Sequence, residues 1–346
     1  GKYNFRNYTQ FGALKPGEYT FGHLLQDAGY KTCVVGKWQL AGRVKRDNKP
    51  VKGTMPRKAG FDEHCLWQIK FKGTRYWRPS VNTNGTLRKD IDDKYGPDVF
   101  CDYGLDFIDR HAEQPFFLYF PMALTHNPFI PTPDSDDADE ARFAKSWKSD
   151  SRYFADEVEY MDKIVGRILD KVESLGLGEQ TLIIFTGDNG TNSQIVSETV
   201  NGSIRGAKGR TIKAGTHVPL VVRWSGVTPR GKVNDDLVDF ADFFPTFAQA
   251  AGTTVPADYP WDGISFLPQI KGEIGKPRDW IFTHYEPKWG KWKKARYVMD
   301  KRYKLYEDGR FFDTDNDPLE EHSMDQKDAD IQRMEARFRK VLKSIN

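Results

Sequence analysis

Cysteine is nearly missing from this chain: Cys33, Cys65 and Cys101 are the only three in 346 residues. They have neither an even count nor metal-ligand spacing, which excludes a disulfide framework and leaves separate, partly buried thiols. No apolar run approaches the roughly 20 residues needed to span a bilayer, so no transmembrane segment is expected. Charge of one sign is scarce too. With 52 Lys and Arg against 49 Asp and Glu the net charge is +3, and nothing demands a nucleic acid or a membrane surface as partner. Internal repeats and low-complexity segments do not occur. Gly1 is not an initiator methionine, and no charged-then-apolar signal segment precedes the first element. That element is a helix, so the opening strand of an α/β unit is expected to be missing and a sheet edge to lie exposed.

Aromatic residues, by contrast, are plentiful at 14% and cluster between Trp67 and Trp77 and between Trp280 and Tyr306. Two readings stay open at this point. Such side chains fill cores, or they stack on sugars from loops.

Four apolar runs read as buried strands: Thr32–Val35, Phe116–Phe120, Thr181–Thr186 and Pro219–Trp224. Helical patterns lie between them. Thr20–Ala28 places Phe21, Leu24, Leu25 and Ala28 on one face, with Gly29 as a stop. Residues 152–175 repeat Val158, Met161, Ile164, Val165, Ile168, Leu169 and Val172 at helical spacing. A further helix over Val238–Ala251 is interrupted early by Pro245. Strands alternating with helices predict an α/β fold, a mainly parallel sheet sandwiched by helices. Residues 42–98 are polar and rich in Gly, Pro, Asn and Lys, and read as an insertion carrying short strands or loops. From about 255 the composition shifts. Trp280–Tyr285, Ala295–Met299, Tyr303–Tyr306 and Phe311–Asp313 predict a small antiparallel sheet, and 329–343 a closing helix. The expected organisation is therefore 1–254 for the larger domain and 255–346 for a smaller C-terminal one.

The stretch TLIIFTGDNG, residues 181–190, ends an apolar strand in a carboxylate and a carboxamide. Ligands of open α/β sheets sit beyond the carboxyl ends of strands. Asp188 and Asn189 offer oxygen donors there, which suit calcium or magnesium better than zinc. A turn alone would account for Asp-Asn-Gly equally well. Other strand ends carry Lys37 and Gln39, His126, and the Gly206-Ala207-Lys208-Gly209 segment that leads to His217. A cation, two lysines and a histidine suit a compact oxyanion, the positive groups balancing its charge while histidine protonates a leaving group.

GKWQL, THNPF, FTGDNG, RGAKG with GTHVPL, and the closing KRYKLYEDGRFFDTDNDPLEE resemble the sulfatase family, in the right order over nearly the whole chain. The resemblance implies an alkaline-phosphatase-like fold with a smaller C-terminal antiparallel sheet plus helix. It also implies hydrolysis of sulfate esters with calcium, or magnesium, and a formylglycine made from cysteine or serine. Asp188 and Asn189 then match metal ligands. Lys37 and Lys208 match the lysines on the sulfate, and His126 the histidine beside the leaving oxygen. A secreted or periplasmic location is likewise implied.

Three departures stand out. Gln39 replaces the family's histidine and cannot accept a proton near neutral pH. The acidic residue often found after GxKG is replaced near Lys213-Ala214, and His217 stands where an arginine precedes Val-Pro. No cysteine lies in a Cys/Ser-x-Pro/Ala-x-Arg context, so the formylglycine is expected upstream of Gly1 and the chain as given is expected to be inactive. The expected substrate is a sulfated carbohydrate or other sulfate ester, with Gln39, Arg78, His284, Lys288 and Arg296 as candidate contacts. The alternatives are a phosphatase or phosphodiesterase of the same superfamily, and a non-catalytic binder of sulfated glycan.

Overall fold

A computed structural model describes residues 13–44, 50–67, 69, 73–200, 202–259, 261–286, 293–324 and 329–345. Helix α1 (Phe21–Asp27) starts where the Thr20 hydroxyl accepts from the Gly22 and His23 amides and His23 accepts from the Thr20 amide. This reciprocal cap satisfies donors that the first turn leaves orphaned. The helix buries Leu24 and Leu25 and ends before Gly29, whose φ of +87° is open to glycine.

Strand β1 (Lys31–Lys37) follows, and the insertion contributes five strands among the described residues. Of these, β2 (Gly42–Val44) and β3 (Pro50–Lys52) form a separate antiparallel hairpin. The others, β4 (Glu63–Trp67), β5 (Val81–Thr83) and β6 (Thr86–Leu87), extend the sheet of β1. With β7 (Phe116–Tyr119) its order is β6-β5-β4-β1-β7, parallel where β1 meets β4 and β7 and antiparallel beyond β4. Alternation along the pleat divides the core. Cys33, Val35, Cys65 and Trp67 pack with Phe100 and Phe107 of helix α2 (Gly96–Arg110). Val34 and Leu66 face the other way, toward Phe21, Phe61 and Phe117. Helices thus cover both faces, as an α/β sheet requires.

The aromatics near Trp67 belong to this core. Trp67 and Tyr76 are 1% exposed, and Tyr76 stacks on the buried Tyr95. The same holds downstream, where Tyr297 and Tyr306 are buried together with Phe312. Of the two readings of these clusters, the core one applies to these residues.

After the short helix α3 (Ala138–Phe143) comes α4 (Phe154–Ser174). Hydrophobic spacing puts Val158 on its inner face, yet Val158 is exposed and the buried residues are Glu157, Tyr160, Ile164 and Val172. The Glu157 carboxylate accepts from the Ile130 amide at 3.1 Å, which gives a fully buried acid one partner. Its other oxygen and Nη1 of Arg75 are buried without hydrogen-bond partners. Burial raises the Glu157 pKa to about 8, against a smaller lowering by the Ile130 amide and Arg75. Between its ordinary value and about pH 8 the folded chain holds a proton that the unfolded chain has released. Stability therefore falls as pH rises through that window. Glu157→Gln keeps the Ile130 bond and removes the titration. It is expected to unfold like wild type near pH 4.5 and to be more stable by a few kcal/mol at pH 8, as urea titrations at both pH values would show.

Burial separates two compact units, 10–181 with 251–253 and 182–250 with 254–346, whereas composition places its boundary at 254. The reason lies in strand pairing. β8 (Ile183–Thr186) is followed by the hairpin of β9 (Val196–Thr199) and β10 (Gly202–Arg205), the short helix α5 (Lys213–Thr216) and β11 (Leu220–Arg223). Among the described residues β8 pairs only with β11, and antiparallel, so the fourth apolar run does not continue a parallel sheet. Ile184, Leu220 and Val222 pack with Phe243 of α6 (Phe243–Ala250) and with Phe266, Leu267 and Ile270 around α7 (Leu267–Ile270). The Asp242 carboxylate, 2% exposed, joins this region to the C-terminal segment. It takes Nε of Arg278 at 2.8 Å, a second bond from the same guanidinium, and the Asp239 and Ile264 amides.

The end of the chain matches the sequence reading closely. A four-stranded antiparallel meander, β12 (Ile281–Tyr285), β13 (Ala295–Met299), β14 (Tyr303–Tyr306) and β15 (Phe311–Asp313), packs Phe282, Val298, Leu305 and Phe311 on Phe338 of α8 (Ala329–Ser344).

Candidate active site

The residues singled out in the sequence fall into two groups, one in each compact unit. In the first, Lys37 ends β1 and is half-buried. Gly36 before it adopts φ +109°, and a Cβ there would stand 2.3 Å from the Pro121 carbonyl oxygen. Only glycine lets the backbone approach so closely. The Lys37 amide then donates to that oxygen at 2.8 Å, so the end of β1 is fixed to the segment after β7. Gln39 is half-buried two residues on.

That segment carries His126 and contains cis peptide bonds at Leu124–Thr125 and Asn127–Pro128. The His126 amide donates to the Ala123 carbonyl, and its Nδ1 lies 2.8 Å from the Asn127 carbonyl oxygen. A carbonyl accepts only, so Nδ1 is the donor in this contact. The Tyr76 hydroxyl, inside the core, donates toward the carbonyls of Ala123 at 2.9 Å and His126 at 2.6 Å. Tyr76 is a positioning residue that sequence reasoning missed, because an aromatic in a cluster gives no sign of what its hydroxyl reaches. Tyr76→Phe would strand buried carbonyls. It is expected to cost about 1–3 kcal/mol of stability, and an unchanged urea midpoint would show that the hydroxyl does not hold the turn.

In the second unit, β8 runs into Gly187-Asp188-Asn189-Gly190, with Asp188 exposed and Asn189 half-buried. A Cβ on Gly190 would meet the Ala214 carbonyl oxygen at 2.0 Å, and its amide donates to Gly215 at 3.0 Å. The Lys208 amide donates to the Thr191 carbonyl at 2.9 Å, and the Gly206 amide to Ile195 at 3.0 Å. The loop with the two oxygen donors and the loop with Lys208 are therefore one backbone scaffold. This is the local form of the two motifs, and glycine permits it.

Other candidates stand apart. His217 is exposed, and Lys213 is held by Asp315 at 2.6 Å and the Lys301 carbonyl at 3.1 Å. Arg78 is exposed at φ +51° with Nη1 3.5 Å from the Ala144 carbonyl oxygen. His284 and Arg296 face each other across β12 and β13. His284 is buried, which lowers its pKa, and its Nε2 lies 3.3 Å from Glu286. Arg296 bonds Glu307 at 2.8 Å and the Ile345 carbonyl at 2.5 Å. Both are engaged within their own sheet. Lys288 lies outside the described residues.

Asp188 and Asn189 supply oxygen only, which fits a hard divalent cation. Among the described residues no group of three or more His, Cys, Asp or Glu could hold a metal, so these two donors would form part of a shell. The cysteines do not fit the nucleophile that the resemblance implies. All three are free and buried, and burial raises the Cys65 thiol to about 11, Cys101 to about 12 and Cys33 further still.

Asp188, Asn189 and Lys208 thus share one scaffold in the second unit, while Lys37 and His126 belong to the first. A family model described as Sulfatase matches residues 2–253, and one described as N-sulphoglucosamine sulphohydrolase, C-terminal, matches 210–346. The chain belongs to the sulfatase family.

It is 32% identical to an uncharacterized sulfatase, YdeN, of Escherichia coli K12, over 75% of this chain and 49% of that protein. It is 29% identical to the N-acetylgalactosamine-6-sulfatase of the dog, Canis lupus familiaris, over 75% and 50%. The chain thus spans about half the length of these curated relatives. Among solved structures, Ps i-CgsB superposes with a TM-score of 0.74 at 21% identity, covering 99% of this chain and 79% of that one. BT4656 in complex with D-glucosamine-2-N,6-O-disulfate gives 0.69 at 18%, covering 99% and 85%. At such identities these structures speak for the fold. No helix among the described residues is long and apolar enough to cross a membrane.

Proposed function

We propose that this chain carries the cation-binding and sulfate-binding residues of a sulfuric ester hydrolase acting on a sulfated carbohydrate. The observation that carries the reading is the shared scaffold of Asp188, Asn189 and Lys208, because it couples hard oxygen donors to an ammonium group through backbone bonds. Asp188 and Asn189 would hold a calcium or magnesium ion, which when bound supplies positive charge to sulfate oxygens. Lys208 and Lys37 oppose the remaining negative charge. His126, protonated at Nε2, would give its proton to the ester oxygen as a nucleophile supplied from outside these residues bonds to sulfur, the ester S–O bond breaks and the alcohol leaves. Gln39 holds a hydrogen bond without exchanging a proton. The nucleophile is assigned to none of the three buried cysteines. A carbohydrate substrate is supported by relatives named for N-acetylgalactosamine 6-sulfate and by a structural neighbour holding a sulfated glucosamine. A secreted or periplasmic setting is part of the same proposal.

Calcium content and sulfate release test the reading together. In protein that also carries the expected nucleophile, Asp188→Ala is expected to lose bound calcium by elemental analysis and sulfate release from glucosamine 6-sulfate. Unchanged metal content would remove Asp188 from the site. Sugar binding without any sulfate release by protein that also carries the expected nucleophile would identify a non-catalytic binder instead.

A further inference from the structure

One residue beyond Lys208, the same loop becomes the wall of a cleft of about 220 Å³, with the C-terminal sheet as its other wall. Arg210 and Thr211 stand on the loop side, Lys293 and Lys294 immediately before β13, and Tyr306 and Glu320 at the base. The base is tightly satisfied. The Lys304 ammonium, 1% exposed, lies 3.9 Å from the centre of the Tyr297 ring and donates to Glu320 Oε1 at 2.8 Å and to the Thr211 carbonyl. The Tyr306 hydroxyl donates to Glu320 Oε2 at 2.5 Å and lies 2.8 Å from Thr211 Oγ1. Tyr285 closes the side by donating to the Gly209 carbonyl at 2.7 Å.

The charges of this cleft do not balance. Among the described residues Glu320 is its one carboxylate, and the buried Lys304 compensates it. Arg310 is likewise compensated, by Asp308 at 2.9 Å. Arg210, Lys293 and Lys294 are exposed and form no ion pair within the described residues, so three positive charges line the cleft with no described acid paired to them. Like charges held together on a concave surface repel one another, and an anion from solution relieves that repulsion. A loop that offers Lys208 to one anion and Arg210 to a cleft beside it is built for a ligand with two.

We propose that this cleft binds a second anionic group, sulfate or carboxylate, of a polyanionic glycan whose scissile sulfate meets Lys208. The proposal rests on the reading of Lys208 given above and adds the substrate class to it. Arg210, Lys293 and Lys294 select for multiply charged sugars and contribute nothing to the chemistry of the ester.

Calorimetric titration of the protein would use glucosamine 6-sulfate, glucosamine 2-N,6-O-disulfate, and a monosulfated disaccharide bearing a hexuronate. Wild type is expected to bind one or both doubly charged sugars about tenfold more tightly than the monosulfate, with an advantage that shrinks as salt rises. The two doubly charged sugars tell sulfate from carboxylate. In R210Q/K293Q/K294Q the advantage is expected to vanish while monosulfate affinity stays near wild type. These side chains are exposed, and an unchanged thermal melt checks the fold. Lys208→Ala should weaken all three sugars alike. If the triple variant keeps the advantage, or wild type shows none, the cleft proposal is overturned while the Lys208 result still stands. If the triple variant loses the advantage and Lys208→Ala changes nothing, the cleft is supported and the reading of Lys208 fails.

Discussion

In protein that also carries the expected nucleophile, Lys208→Ala is expected to cut sulfate-ester turnover by about 10²–10³-fold, the roughly 3–4 kcal/mol lost when one preorganised group facing developing charge is removed. The side chain is half-buried, while its loop is held by backbone bonds: Lys208 N to the Thr191 carbonyl, Gly206 N to Ile195 and Gly190 N to Gly215. Truncation therefore removes the ammonium and leaves the scaffold. The kinetic signature should be a fall in kcat larger than any rise in KM, because charge builds on the sulfate and leaving oxygens as the S–O bond breaks. The urea midpoint should not move. A rate near wild type would take Lys208 out of the chemistry, and a large drop in stability would show that its role is structural.

Arg278→Ala should destabilise the fold by about 3–5 kcal/mol, the cost of leaving a buried carboxylate without its counter-charge. Asp242 is 2% exposed, and its oxygens take two bonds from the Arg278 guanidinium besides those from the Asp239 and Ile264 amides. Arg278 also donates to the Trp280 carbonyl at 3.3 Å, just before β12. Losing it strands the charge and loosens the entry to the C-terminal sheet. Pairing Arg278→Met with Asp242→Leu should recover part of the loss, because both charges then leave the interior together. A single-variant cost below about 1 kcal/mol in urea unfolding would mean that water reaches Asp242 and the pair is not buried in effect.

Local structure was largely legible. Thr20 with a hydrogen-bonding residue three positions later marks the start of α1, and Gly29 its end. Alternating apolar residues around turns at Asp300 and Gly309 give all four strands of the meander, since hairpins between neighbours need only local signals. The paired motifs around Asp188 and Lys208 were legible for a related reason: their glycines are required by close backbone contacts that any sequence building this scaffold must permit.

What stayed hidden depended on contacts distant in sequence. Nothing in Pro219–Trp224 states that it will pair antiparallel with Thr181–Thr186, because direction is set by the path between strands. Helical spacing favoured Val158 for the interior, but the Ile130 amide draws in Glu157, an acid one position earlier. Lysine is ordinarily solvated, yet Lys304 is buried where Glu320, the Thr211 carbonyl and two tyrosine rings meet its ammonium group.

By itself, then, the sequence determined helices α1, α4 and α8, the strands of the C-terminal meander, the two glycine-bearing motifs and the family likeness, all of which rest on residues near one another in the chain. Tertiary structure alone decided which aromatics fill the core, which charges are buried in pairs, and that Arg210, Lys293 and Lys294 meet at one cleft. Those outcomes depend on burial and on the sum of nearby charges, which exist only once distant segments have come together.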